Sequence, residues 1–133
     1  MDYKKNMLPP IKRFSFTLSE GNAVLILKMN GNFSFDFLTE IQTISKELPK
    51  FNSSKFMVLD LTELVDVETK MIFTFAKIQQ DVRRLGLQLR VCALSPKLEK
   101  KLYERGVIRD GEIYQSLTLA IRSLLSKSNG VAA

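Results

Sequence analysis

Four carboxylates and a hydroxyl–lysine pair crowd the stretch LDLTELVDVETKMIFTF at positions 59–75: Asp60, Glu63, Asp66 and Glu68, then Thr69 and Lys70. Carboxylates this close can hold a divalent cation, accept a phosphoryl group, or work as an acid–base pair. A magnesium or phospho-aspartate site needs carboxylates converging from two strands. The two strand-like runs at the start of the chain end in FTL and KMNG and bring no acidic pair. Nothing marks a substrate cleft for paired-carboxylate hydrolysis. The remaining reading is structural: Asp66 caps a helix, Glu68 complements its N-terminal dipole, and the rest is a solvated turn.

Other chemistries close for lack of residues. The chain has no histidine, which removes Ser–His and Cys–His nucleophile pairs and the usual proton carrier near neutrality. Cys92 is the only cysteine and its neighbours in LRVCALS are apolar, so it reads as a small buried hydrophobe. No Gly-rich nucleotide loop is present, and no cofactor, metal or enzymatic activity is expected.

The net charge is +6, with basic residues gathered in DVRRLGLQLR and SPKLEKKLYERGVIRD. Acidic residues interrupt both stretches and no aromatic interleaving suggests base stacking, so a solvated helix face or an acidic protein partner is expected, and no nucleic acid. No apolar run approaches the ~20 residues of a membrane-spanning helix. The N-terminus MDYKKNMLPP lacks the apolar stretch of a signal peptide. The expectation is a cytoplasmic protein with no membrane insertion.

At 133 residues the chain suits one domain with one core. A polar leader spans residues 1–12, the domain residues 13–125, and a flexible tail residues 126–133. RFSFTL and AVLILKMNG read as strands of a hairpin joined by SEGN. FLTEIQTISKEL places Phe37, Ile41, Ile44 and Leu48 on one helical stripe, with Asp36 as cap and Pro49 as stop. SKFMVLDL is a short apolar run that suits a strand buried on both faces. After an acidic loop, a helix is expected from about 67 to 85, with Met71, Phe75, Ile78, Val82 and Leu85 on its apolar face. LQLRVCAL is a further strand. SPKLEKKLYERG is a helix with Ser95 as cap, and SLTLAIRSLL a last helix capped by Ser116. This order implies an α/β fold: a mixed β-sheet opened by a hairpin, with helices packed on it. The 62–70 segment then falls at the carboxyl edge of the sheet, where open α/β sheets keep their functional crevices.

FMVLDLTEL, the helix start that follows it, and LGLQLRVCALSPKLEKKLYERGVI together resemble the STAS domain, the family named for sulphate transporters and anti-sigma factor antagonists. The resemblance covers roughly residues 14–125. It implies the same mixed sheet and, in antagonist members, a loop and helix start carrying Asp-Ser-Ser-Gly. There the second serine is phosphorylated by an anti-sigma factor kinase, and the unmodified form binds the anti-sigma factor. Counting forward from Asp60 and back from RVCALSP both place the motif's acid on Glu68. Thr69 then takes the first serine, Lys70 the phospho-acceptor and Met71 the glycine. Lys70 cannot accept phosphate in that way, so the motif is degenerate, and Thr69 is the one hydroxyl left as phospho-acceptor candidate.

The resemblance therefore implies a signalling protein that binds an anti-sigma factor or kinase-like partner without the usual serine switch. The alternative is an accessory subunit of a lipid or anion transport complex. The partner-binding candidates are Glu63, Asp66, Glu68, Thr69, Lys70 and Phe73, which falls off the apolar stripe. Arg83 and Arg84 farther along the helix are weaker ones. A homodimer is also compatible with the family.

Overall fold

Side-chain alternation decides the faces of the sheet. The computed structural model describes residues 10–51 and 53–128. β1 (Ser15–Gly21) and β2 (Val24–Phe33) form the expected antiparallel hairpin, Gly21 opposite Val24. β3 (Phe56–Val67) runs parallel beside β2, β4 (Gln88–Cys92) parallel beside β3, and the short β5 (Ile113–Tyr114) beside β4. The sheet order is β1-β2-β3-β4-β5.

One set of alternate positions, Leu25, Leu27 and Met29 on β2, Met57, Leu59 and Leu61 on β3, and Leu89 and Val91 on β4, belongs to the main core. It meets α1 (Leu38–Glu47), α2 (Ile72–Arg84) and α3 (Pro96–Glu104) through residues such as Ile44, Phe75, Ile78, Val82 and Leu102. Phe33 lies edge-on to both Phe14 and Phe75, at centroid distances of 5.6 and 5.2 Å, an arrangement that adds to their area burial. The other set, Val24, Phe56, Val58 and Cys92, meets Ala120 and Leu124 of α4 (Leu117–Ser128). The fold is therefore the mixed, helix-covered sheet that the sequence implies.

The main departure lies in the acidic stretch. It is not a loop: β3 continues through it to Val67 and stays paired with β2, Asn30 opposite Glu63 and Asn32 opposite Asp66. The register shifts between Lys28 and Asn30 and again between Gly31 and Asn32, each time with an extra residue on β3. Such bulges break the two-residue side-chain period. Leu61, Leu64 and Val67 consequently all enter the main core although they lie three apart.

Three further expectations are corrected. The first helical turn after Ser34 is capped by Ser34, whose Oγ accepts from the Asp36 amide at 3.2 Å, and not by Asp36. A 3-10 turn at Thr69–Met71 precedes α2, which begins at Ile72 and not near residue 67. Leu85 follows the end of α2 and is exposed rather than on its apolar face. Ser95 and Ser116 cap as expected, accepting from the Leu98 and Leu119 amides. The last helix runs to Ser128, past the expected end of the domain at 125; residues 129–133 and 1–9 lie outside the described residues.

Gln79 sits on the apolar side of α2 at 1% exposure, and its Nε2 has no hydrogen-bond partner among the described residues. An orphaned buried amide costs about 1–3 kcal/mol. Gln79→Leu is therefore expected to raise the unfolding free energy by about 1 kcal/mol in urea titration. A loss of stability would mean that the amide is satisfied in solution.

Candidate functional site

The four carboxylates separate into different surroundings. Asp60 is buried on the α4 side of β3, where its Oδ1 accepts from the Thr62 amide (3.1 Å) and hydroxyl (2.6 Å) and from the Cys92 thiol at 3.9 Å. Burial, and then the Asp60 charge, push the Cys92 thiol up to about 12, so it stays protonated and unreactive. Glu63 is exposed on β3. Asp66 is not a helix cap: its Oδ1 accepts from the following Val67 amide at 2.8 Å and from Lys101 Nζ at 3.4 Å. Among the described residues, no group of three or more His, Cys, Asp or Glu side chains could hold a metal ion.

Glu68 acts as a staple between β3 and the turn after β2. Its amide donates to the Phe33 carbonyl at 3.0 Å, and its Oε1 accepts from the Phe35 amide at 3.1 Å. The Ser34 hydroxyl, which caps the turn before α1, lies 3.5 Å from Oε2. These bonds fix where the chain leaves β3 and hold Phe35 beside the start of α2.

Lys70 follows in the 3-10 turn. Its side chain is 68% exposed, its Nζ 3.9 Å from Glu68 Oε1 and 5.2 Å from the centre of the Phe35 ring. Each contact is worth at most about 1 kcal/mol at an exposed site, so both orient the ammonium more than they stabilise the fold. Thr69 is exposed beside it, and Phe73, 88% exposed, points away from the core while Met71, Phe75 and Ile78 are buried in it.

Sequence reasoning missed three members of this surface. Phe35 is 53% exposed, and Ile11 and Val65 are also exposed. Ile11 belongs to a strap that crosses the end of β2, its neighbour Lys12 donating its amide to Asn32 Oδ1 (2.8 Å) and accepting from the Asn32 amide (3.0 Å). Ile11 and Val65 line one cavity with Asp66 and Glu68. Phe35 does break the helical stripe that Phe37 begins, and this was the only available signal. Arg83 and Arg84 are placed elsewhere: Arg83 Nη2 donates to both carboxylate oxygens of Glu112, each at 3.0 Å, and Arg84 lies 3.7 Å from Asp81. No helix among the described residues is long and apolar enough to cross a membrane.

Comparison with known proteins agrees with this geometry. Residues 15–120 match the STAS domain. The anti-sigma factor antagonist SpoIIAA in its unphosphorylated form has a similar fold, with a TM-score of 0.64 and 8% identity over 90% of this chain and 100% of that one. So has the STAS domain of a SulP transporter from Vibrio cholerae (0.69, 13%, 84% and 88%). A chain of the stressosome, described as a signal integration and transduction hub, is similar too (0.69, 17%, 84% and 98%). At such identities the likeness is one of fold. A curated relative, ERO1-like protein alpha of Xenopus tropicalis, is 41% identical over 61 residues, and this chain spans only 12% of its length.

Proposed function

The chain belongs to the STAS domain family, and from that premise we propose that it is a non-enzymatic regulator that docks a protein partner on the carboxyl rim of its sheet. One observation carries the reading: three of the large apolar side chains left exposed, Ile11, Phe35 and Val65, stand around Glu68 and Lys70, and a fourth, Phe73, follows in the first turn of α2. Apolar side chains collected at one exposed edge mark interaction sites, whereas scattered ones do not. The partner is an anti-sigma factor or a kinase-like regulator, met in the cytoplasm, and Thr69, Lys70 and Phe73 are the residues that reach it, with Glu63 and Asp66 at the border. Glu68 contributes by holding Phe35 and the turn in place.

Lys70 decides the regulation. Phosphorylation at this helix start would add roughly −1.5 to −2 charge, which an acidic partner surface rejects. A lysine sets a permanent positive charge there instead, so docking at this position is constitutive. Incubation with candidate kinases and ATP, followed by mass spectrometry of the tryptic 56–70 peptide, which ends ETK and contains Thr69, is expected to find Thr69 unmodified. Stoichiometric phosphate on Thr69 would overturn the constitutive form. The similarity to a transporter's STAS domain supports a second reading, an accessory subunit docked on a lipid or anion transport system. Co-purification with a membrane ATPase, and not with a soluble kinase-like protein, would favour it.

A further inference from the structure

The strap and the rim enclose a cavity of about 340 Å³ whose walls come from four parts of the chain: Ile11 of the strap, Asn32 of β2, Val65, Asp66 and Glu68 at the end of β3, and Lys97 of α3. This is the low end of ligand-pocket size, room for one side chain or a small head group and not for a nucleotide. Ile11 and Val65 give it aliphatic walls. Its acidic groups are only partly used: Asp66 Oδ1 takes the Val67 amide and Lys101, while Asp66 Oδ2 has no hydrogen-bond partner among the described residues. Glu68 faces the same space with its charge answered, among the described residues, by amide and hydroxyl donors and by Lys70 at 3.9 Å. Among the described residues, Lys97 is the one cationic side chain lining the cavity, and it forms no ion pair within 4.0 Å with any of them.

Resting on the docking reading above, we propose that this cavity is a socket for an arginine side chain of the partner. The aliphatic stem lies between Ile11 and Val65, in the manner of long cationic side chains that bury their stems and keep their heads polar. The guanidinium reaches the free oxygen of Asp66 and the flank of Glu68. A planar fork of five donors suits acceptors presented by separate residues better than a lysine's point charge. Arginine is also among the residues that most often anchor protein interfaces. Lys97 in the lining, Lys101 on Asp66 and Lys70 beside Glu68 all oppose the incoming cation and together set an upper limit on the affinity.

The test needs no partner. Acetyl-arginine amide is titrated at low salt into the isotope-labelled full chain, with uncharged acetyl-citrulline amide in parallel, and backbone amide shifts are followed. Saturable shifts at Asn32, Val65 and Asp66 are expected, at least about tenfold weaker for citrulline and weakened by salt. Val65→Lys, at an exposed position, fills the socket with a tethered cation and should abolish the response. Lys97→Ala removes the opposing charge and should tighten it about two- to fivefold, a gain that a merely structural Lys97 would not give. Absence of saturable shifts, an equal response to citrulline, or tighter binding of acetyl-lysine amide overturns the assignment. Failure here is separable from failure of the docking surface, because Phe73 lies outside the socket. Phe73→Asp should leave the arginine response intact whatever it does to partner capture.

Discussion

Gly31→Ala should lose about 3 kcal/mol of stability in urea titration. Gly31 has φ +79°, a conformation that costs an L-residue about 1–2 kcal/mol. A methyl group there would also collide with the backbone of the strap, lying 2.8 Å from the Arg13 carbonyl carbon and 3.0 Å from the Lys12 carbonyl oxygen. Forcing such atoms apart adds about 1–3 kcal/mol. The obstacle is main chain and not the tip of a flexible side chain, so relief requires moving the strap itself. That movement would loosen the Lys12–Asn32 bonds and the Arg13–Glu40 pair. Gly86 is the control, with φ +82° and nothing within 4 Å of an added methyl. Gly86→Ala should lose only the conformational part, about 1 kcal/mol. Equal losses at the two positions would mean that the strap does not pack against β2 in solution.

Phe73→Asp should reduce capture of the partner about thirtyfold while leaving the melting temperature unchanged within experimental scatter. An aromatic side chain at the centre of an interface commonly contributes about 2 kcal/mol, which is a factor of about thirty in affinity. At 88% exposure Phe73 contributes almost nothing to the core, so a carboxylate there costs the isolated fold little. The neighbouring Phe75, buried to 1% exposure between β2 and α2, gives the contrast: Phe75→Asp should unfold the protein. Unchanged capture by Phe73→Asp would remove the apolar part of the docking surface.

Much of this fold is legible in the sequence because its signals are local. The alternation in AVLILKMNG, the 4-3-4 spacing of Met71, Phe75, Ile78 and Val82, and the Ser95-Pro96 helix start each follow from neighbouring residues alone. The end of β3 is not legible for a definite reason. Two register shifts place Leu61, Leu64 and Val67 on one face at intervals of three, and a reader looking for period two or 3.6 finds a loop. Asp36 and Ser34 are both good caps by type. The choice of Ser34 depends on Glu68 arriving from a strand more than thirty residues away. The same long-range bond brings Phe35 to Lys70, so the aromatic half of the candidate site follows from tertiary packing. Gln79 shows the opposite case, a polar residue drawn into the core because its helical face is otherwise apolar.

Lys70 offers the most direct measurement. The wild-type chain, Lys70→Ser and Lys70→Glu are used in parallel as bait in the native cell, and the captured proteins are quantified. Docking on an acidic partner through this turn predicts strong capture by the wild type, weaker capture by the serine variant, and loss of at least about tenfold with glutamate, where attraction becomes repulsion. The same proteins recovered in equal amounts by all three would show that the start of α2 does not face the partner.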